Sequence, residues 1–134
     1  LRAAQIPLGI VSNAQFFTPV TLATLLGQPL EELGFEDDLC VWSFRHAQAK
    51  PGTFLFLTAQ DCLARRSIAP GEVLYIGNDM LNDILPASQL GFRTALFAGD
   101  ARSLRLREDD DRVRGLEPDL VITHWDQLFE AIDL

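Results

Sequence analysis

Five short apolar runs alternate with helix-like stretches along the chain, and this alternation limits the possible folds more than any other feature. The runs span residues 6–11, 39–44, 73–76, 94–98 and 120–123. Nearly every residue within a run is apolar, which is typical of strands that are buried on both faces of a parallel sheet. Because such strands need helices on both sides, the sequence predicts an α/β fold with helices covering both faces of a parallel sheet.

The stretches between the runs carry helix signals. Helices are expected at residues 14–26, 53–66, 82 or 83 to 90, and 125–132. Apolar side chains recur at helical spacing in the first stretch, and we expect the phenylalanines of the first two stretches to be buried. These are Phe16, Phe17, Phe54 and Phe56. Residues 100–117 are rich in arginine and aspartate and are expected to form a solvated loop.

Charge and hydropathy exclude several classes of protein. Eleven basic and nineteen acidic residues give the 134-residue chain a net charge of −8, the opposite of what binding to nucleic-acid phosphates requires. No apolar stretch approaches the roughly 18 residues that span a bilayer, so we expect no membrane partner. The two cysteines, Cys40 and Cys62, lie in apolar surroundings, which favours reduced thiols in a cytoplasmic protein.

Polar residues follow several of the apolar runs directly. Ser12 and Asn13 come after the first run, Asn78 and Asp79 after the third, and Asp100 closely follows the fourth. In an open parallel α/β sheet, ligands bind beyond the carboxyl ends of the strands. We therefore expect the functional site at these strand ends.

Three kinds of side chain fit one anion-binding chemistry. The Ser12 hydroxyl and the Asn13 amide can donate hydrogen bonds to an anion, and Lys50 is the only lysine among the eleven basic residues. Asp79 and Asp83 are four residues apart at a strand-to-helix turn, where two carboxylates can face one cavity. Oxygen ligands of this kind suit Mg²⁺, and a nearby ammonium and hydroxyl stabilise a transferring phosphoryl group by charge.

Three sequence motifs, in this order, resemble those of the haloacid dehalogenase-like (HAD) hydrolase superfamily, whose members are mostly Mg²⁺-dependent phosphatases. LGIVSNAQ is similar to the second motif of the family, whose serine or threonine corresponds to Ser12. AKPGTFLF is similar to the third motif, whose lysine corresponds to Lys50. YIGNDMLNDILPASQLGFRTALF is similar to the fourth, an acidic metal-binding turn with the helix and strand that follow it. The resemblance runs from Ile6 to the end of the chain and implies a three-layer, Rossmann-like sheet.

The first motif of the family, Asp-x-Asp-x-Thr, has no counterpart in this sequence. In the family, its first aspartate is the nucleophile, its second is the general acid and base, and its strand is central in the sheet. We therefore expect residues 1–134 to be the C-terminal portion of a single HAD-like core domain, incomplete at its N-terminal central strand. The nucleophile strand and the cap would lie upstream, in a missing N-terminal segment of the same protein. The chain alone is expected to be inactive.

The resemblance also implies a reaction for the full-length protein. It would be a Mg²⁺-dependent phosphatase that hydrolyses a small phosphorylated metabolite through an aspartyl-phosphate. Ser12, Asn13 and Lys50 would bind the phosphoryl group, with Lys50 also acting in catalysis. Asp79 and Asp83 would hold Mg²⁺ together with the upstream aspartates.

One alternative concerns the register of the acidic turn. Many family members have Gly-Asp-Ser where this chain has Gly77-Asn78-Asp79. If the strand keeps its register, Asn78 faces the metal with a neutral carbonyl oxygen. If the turn shifts by one residue, Asp79 is the ligand, and the stronger attraction of a carboxylate for a dication favours Asp79.

Other interpretations of these residues stay open. Ser12 and Asp83 also suit helix caps, Asp79 suits a turn, and Lys50 suits an exposed surface. The alternative functions are a 2-haloacid dehalogenase-type hydrolase, which needs no metal, and a non-catalytic binding or regulatory module. The acidic pair argues against the dehalogenase, because halide displacement needs no dication.

Overall fold

The computed structural model describes residues 1–131 and divides the chain into two compact units, Leu1–Ser67 and the part that begins at Ile68. Each unit contains its own parallel sheet, and the five strands of the described residues are divided between the two. The α/β fold expected from the sequence is confirmed. None of the helices in residues 1–131 has the length and apolar character needed to cross a bilayer.

The first unit consists of two parallel strands and three helices. Its elements are β1 (Leu8–Ser12), α1 (Thr18–Leu26), β2 (Phe35–Trp42), α2 (Ser43–His46) and α3 (Phe54–Ala64), preceded by a 3₁₀ turn at Arg2–Ala4. The strands pair in register from Ile10 with Cys40 to Ser12 with Trp42. Helix α3 covers this sheet by burying its apolar residues against Val41 of β2. The carboxyl ends of β1 and β2 therefore lie side by side.

The second unit consists of three parallel strands in the order β3-β4-β5. Its elements are β3 (Leu74–Gly77), a π-helical turn (Met80–Ile84), α4 (Leu85–Gln89), β4 (Arg93–Phe97), β5 (Leu120–Ile122) and α5 (Gln127–Ala131), with 3₁₀ turns at Pro70–Glu72 and Asp111–Val113. The π-helical turn packs its apolar side chains against Leu96 of β4 and Val113. This packing fixes the polar segment between β3 and α4.

All five predicted strands are present, with ends shifted by a few residues. The largest shift is in the second, which starts at Phe35 and gives way to α2 after Trp42. The predicted third helix starts as the π-helical turn at Met80 and continues as α4. The last helix starts at Gln127 rather than at residue 125, and its predicted end at Ile132 lies outside the described residues.

The prediction that the phenylalanines of the first two helical stretches are buried is wrong for three of the four. Helix α1 begins at Thr18, with a proline in its first turn, and contains no buried residue. Phe16 and Phe17 are 74% and 52% exposed, and Phe54 at the start of α3 is 48% exposed. Of the four phenylalanines, Phe56 alone is buried. The apolar face that the helical spacing indicates is largely exposed, with Val20 at 68% and Leu26 at 52%, and within the described residues α1 contributes Leu22 to the cluster around Trp42.

Residues 100–117 are only partly the solvated loop that we expect from their charge. Most of them are exposed, but Val113 is buried, and Leu104 and Leu116 pack against the same core cluster as Met80. Arg105 also forms an isolated parallel bridge with Asp79. A few apolar side chains thus hold a highly charged segment against the second unit, because burying each one removes apolar surface from water.

Candidate functional site

In the first unit, Lys50 and the end of β1 lie together. The Lys50 ammonium donates a hydrogen bond to the main-chain oxygen of Val11, at 3.1 Å. Ser12 follows as the last residue of β1 and is half-buried, and among the described residues no hydrogen bond is made by its hydroxyl. The structure therefore places a positive charge and an available hydroxyl at the carboxyl end of one strand, where α/β sheets bind ligands.

Asn13 is the residue that holds the Lys50 backbone in this position. Its side-chain oxygen accepts from the Lys50 main-chain N–H at 2.7 Å, and its side-chain nitrogen donates to the Lys50 main-chain oxygen at 3.1 Å. Both ends of the amide are thus engaged, which suits a positioning role better than direct contact with an anion. The assignment of Ser12, Asn13 and Lys50 to phosphate binding stays a prediction.

Ser43 makes a second connection between the two strand ends, and the sequence did not point to it. Its hydroxyl accepts from the Ala14 main-chain N–H at 2.9 Å and donates to the Ala14 oxygen at 3.0 Å. The one available signal is that Ser43 interrupts the apolar run 39–44. Ser43 and Asn13 together fix the chain on either side of Ala14.

In the second unit, Asp83 folds back over the end of β3. Its Oδ2 accepts from the main-chain N–H groups of Asn78 and Asp79, both at 3.1 Å, and its Oδ1 accepts from the Tyr75 hydroxyl at 3.2 Å. Burial, followed by the charge of Asp83, raises the pKa of Tyr75 well above its ordinary value. Asp83 therefore stabilises the turn by capping two adjacent main-chain amides.

The close approach of Asp83 requires a glycine at position 77. A Cβ placed on Gly77 would overlap Asp83 Cβ and would lie 2.6 Å from its Oδ2. Gly77 is the last residue of β3, so its missing side chain leaves the space into which the carboxylate folds. The geometry of the turn thus depends on this residue pair.

Asp79 accepts hydrogen bonds from three residues and is 7% exposed. The main-chain N–H groups of Leu81 and Asn82 donate at 2.9 and 3.1 Å, and the Asn82 side chain donates at 2.9 Å. Arg107 adds two donors, Nε at 3.2 Å and a terminal nitrogen at 2.6 Å. Burial raises the pKa of Asp79, but these hydrogen bonds outweigh it, so the pKa lies below its ordinary value.

Asn78 keeps one side-chain atom available. Its side-chain nitrogen donates to the Ser103 main-chain oxygen at 2.6 Å, and its main-chain oxygen accepts from Arg105 at 2.8 Å. Within residues 1–131, no donor reaches the side-chain oxygen of Asn78. Of the side-chain oxygens of Asn78, Asp79 and Asp83, this neutral one therefore has the least competition from protein donors.

The Asp83 carboxylate contacts the main-chain N–H of Asp79, and the Asp79 carboxylate does not fit a magnesium ion in this arrangement. A ligand oxygen needs a lone pair for the cation, and a carboxylate has about four lone-pair sites. Five donors surround the Asp79 carboxylate and exceed this number, whereas three reach that of Asp83. Across residues 1–131, no group of three or more His, Cys, Asp or Glu side chains is placed to hold a metal. The assignment of Asp79 and Asp83 as ligands stays a prediction.

Arg107 and Tyr75 are the contacts of the acidic turn that the sequence did not reveal. Tyr75 lies in an apolar run, and Arg107 is one of several arginines in a charged segment. Neither position carries a pattern that would indicate its partner.

Comparison with solved structures identifies the fold. No protein-family model and no curated protein sequence matches the chain. A HAD phosphatase from Thermococcus onnurineus superposes with a TM-score of 0.73 and 20% identity, covering 98% of this chain and 52% of that one. YfnB from Bacillus subtilis, described as a HAD-hydrolase and bound to magnesium, gives a TM-score of 0.74 and 18% identity, covering 98% and 50%.

A 2-haloacid dehalogenase from Pseudomonas syringae pv. Tomato is also similar, with a TM-score of 0.63, 22% identity, and coverage of 96% of this chain and 46% of that one. The chain therefore has the fold of HAD-type hydrolases, the family that the three motifs resemble. It spans about half the length of these structures. At these identities the likeness defines the fold, which phosphatases and dehalogenases share.

Proposed function

We propose that the chain is the C-terminal part of a HAD-type hydrolase that acts on a small phosphate monoester. The observation that carries this proposal is the placement of the Lys50 ammonium and the Ser12 hydroxyl at the carboxyl end of β1. A phosphoryl group carries about two negative charges near neutral pH and presents several acceptor oxygens, which match one ammonium and one hydroxyl. The HAD-type fold supports the same proposal, as does the finding that the chain covers about half the length of each of these two solved structures.

Each residue of the first unit has a defined task in this proposal. Lys50 neutralises charge on the phosphoryl oxygens, and Ser12 donates a hydrogen bond to one of them. Asn13 keeps the Lys50 backbone in place through its two hydrogen bonds. The nucleophilic aspartate and the acid that protonates the leaving group belong to the upstream segment, so residues 1–134 alone are expected to be inactive.

Magnesium is part of the proposal on the strength of the sequence resemblance. When bound in such a site, it would neutralise phosphoryl charge. YfnB has the same fold and was crystallised with magnesium, a property of that protein. Among the side chains of the acidic turn, the Asn78 oxygen is the one with no protein donor in residues 1–131, so it is the position from which this unit would reach the ion.

A metal-free dehalogenase is the second candidate, because one observation removes the argument against it. The acidic pair argued against this function on the assumption that Asp79 and Asp83 bind a cation. In the structure, both carboxylates are occupied by main-chain amides and by the Tyr75 and Arg107 side chains. Their presence therefore no longer distinguishes a phosphatase from a dehalogenase.

The test is an assay of the protein that includes its upstream residues. It should hydrolyse p-nitrophenyl phosphate in the presence of Mg²⁺ and lose this activity with a chelator. Lys50→Ala should reduce kcat/KM about 10²–10³-fold. The kcat/KM of Lys50→Arg should be close to that of Lys50→Ala, because a planar guanidinium does not replace a compact ammonium.

Arg114→Gln is the matched control, since it removes one positive charge from an exposed ion pair with Asp111. It should leave kcat/KM within about twofold of the wild type. Chloride release from 2-chloropropionate without metal, in the absence of phosphatase activity, would identify the dehalogenase instead. An upstream sequence without the nucleophilic aspartate would refute both enzymes and leave the non-catalytic module.

A further inference from the structure

Residues 103–107 run alongside the acidic turn of the second unit and are bound to it by main-chain atoms. The Arg105 N–H donates to the Asn78 oxygen at 2.8 Å, and the Met80 N–H donates to the Arg105 oxygen at 2.9 Å. The Asn78 side chain adds a third hydrogen bond, to the Ser103 oxygen at 2.6 Å. This segment therefore extends the parallel pairing beyond the end of β3, although most of its residues are exposed.

Arg107 closes this segment onto the turn. Its guanidinium reaches both oxygens of Asp79, with the side chains 39% and 10% exposed. The Arg107 backbone has a φ of +59°, a left-handed conformation that is uncommon for residues other than glycine. A bidentate contact with a largely buried carboxylate favours this conformation, because it combines charge neutralisation with two directed hydrogen bonds.

We propose that Arg107 is a positioning residue that anchors residues 103–107 to the acidic turn and keeps Asp79 out of cation coordination. Asp79 then acts as the common acceptor for the turn and for the charged segment. This inference does not rest on the proposed function, because it concerns contacts within the second unit. It opposes the sequence-based assignment of Asp79 as a metal ligand.

The two roles of Asp79 predict different responses to the same substitution. As an anchor, the carboxylate is needed for the protection of nearby amides and is not needed for cation binding. As a ligand, it is needed for cation binding, and Arg107 would be a competitor that the ion displaces. Asp79→Asn keeps the shape of the side chain and removes its charge, so it separates the two roles.

The experiment measures amide hydrogen exchange on the 134-residue chain and Mn²⁺ binding on the protein that includes its upstream residues. In Arg107→Gln, the Met80 and Arg105 amides should exchange about tenfold faster than in the wild type. Without the ion pair, residues 103–107 are held to the acidic turn less firmly, and the hydrogen bonds of these two amides open more often. Arg107→Lys should remain closer to Arg107→Gln than to the wild type, because lysine lacks the planar fork. The control Arg114→Gln should leave both amides within about twofold.

In the protein that includes its upstream residues, Asp79→Asn and the wild type should bind Mn²⁺ with affinities within threefold of each other. A loss of more than threefold in Asp79→Asn would overturn the inference and restore Asp79 as a ligand. Exchange rates in Arg107→Gln within threefold of the wild type would also overturn it, as would full protection in Arg107→Lys. If Arg107→Gln does not fold, Arg107→Lys serves for the exchange comparison, because it keeps the charge.

Discussion

Replacing Gly77 by alanine is the sharpest test of the acidic turn. The added methyl group would overlap Asp83 Cβ and lie 2.6 Å from Asp83 Oδ2, so the Asp83 side chain must move. Because Gly77 does not have a positive φ, alanine can adopt its backbone conformation without strain. The whole effect of Gly77→Ala should therefore come from the displacement of Asp83.

The size of the effect follows from the hydrogen bonds that Asp83 would lose. Its Oδ2 accepts from the Asn78 and Asp79 amides, each at 3.1 Å. A hydrogen bond to a charged group contributes about 1.5–3 kcal/mol, and overpacking a filled site costs about 1–3 kcal/mol. Since water recovers part of the lost bonding to a displaced carboxylate, we expect Gly77→Ala to lower the free energy of unfolding of the second unit by about 3–5 kcal/mol.

Hydrogen exchange of the β4 amides reports the stability of the second unit, and exchange of the Asn78 and Asp79 amides reports the local contact. Both sets should exchange faster in Gly77→Ala. Gly71→Ala is the matched control, because a Cβ at Gly71 meets no atom within 4 Å. It should change the unfolding free energy by less than about 0.5 kcal/mol. A cost below about 1 kcal/mol for Gly77→Ala, with the two turn amides still protected, would refute the role assigned to this residue pair.

Two further predictions concern the first unit. Phe56→Ala should lower the free energy of unfolding in urea by about 3–5 kcal/mol because the Phe56 ring is fully buried. Phe54→Ala should lower it by less than about 1 kcal/mol, and equal losses in the two variants would contradict the assigned burial. Burial raises the pKa of Cys40 from 9.0 to about 11, so at pH 8 iodoacetamide should modify Cys40 at least about tenfold more slowly than the half-buried Cys62. Labelling of Cys40 faster than Cys62 would contradict the raised pKa of Cys40. The same shift makes the contribution of Cys40 to the free energy of unfolding constant below pH 9, and this contribution should fall between pH 9 and about 11, because the thiol ionises first in the unfolded chain.

The strands could be predicted from the sequence because short apolar runs bounded by turn residues favour strands over helices at this length. A run such as Val73–Ile76 has no polar face, so helices are expected to cover both faces of the sheet to which it belongs. The partners of α1 could not be predicted in the same way. Its apolar spacing indicates a face that favours burial, but spacing does not say what covers that face, and in residues 1–131 Phe16 and Phe17 remain exposed.

The positions of the candidate residues at the strand ends of each unit were partly predictable for a related reason. Parallel strands align their carboxyl ends, so the rule that ligands bind there selects Ser12 and Asn78 without knowledge of side-chain contacts. The lysine motif added Lys50, which lies beside Val11. Within the acidic turn, the Asp83 carboxylate lies against the main-chain N–H of Asp79, four residues earlier in the sequence.

The roles of the two acids were not predictable, because capping and metal binding call for the same residue type. A carboxylate at a strand-to-helix turn can accept main-chain N–H groups or coordinate a cation, and only its neighbours decide between the two. For Asp79 the deciding neighbour is Arg107, which lies 28 residues later in a segment without periodicity. For Asp83 it is the absence of a side chain at Gly77, which admits the carboxylate to the amides of Asn78 and Asp79.

These contacts have a consequence for how the turn can serve a reaction. Asp83 satisfies the two amides that follow β3, and Asp79 satisfies those at the start of the π-helical turn, so the turn is held without a cation. The positive charge of Arg107 balances that of Asp79 in the same place. A group held in this way needs no reorganisation when a ligand arrives, which is the condition under which fixed dipoles stabilise developing charge most effectively. The two acids therefore hold the main chain from Asn78 to Asn82 in place through hydrogen bonds to its N–H groups.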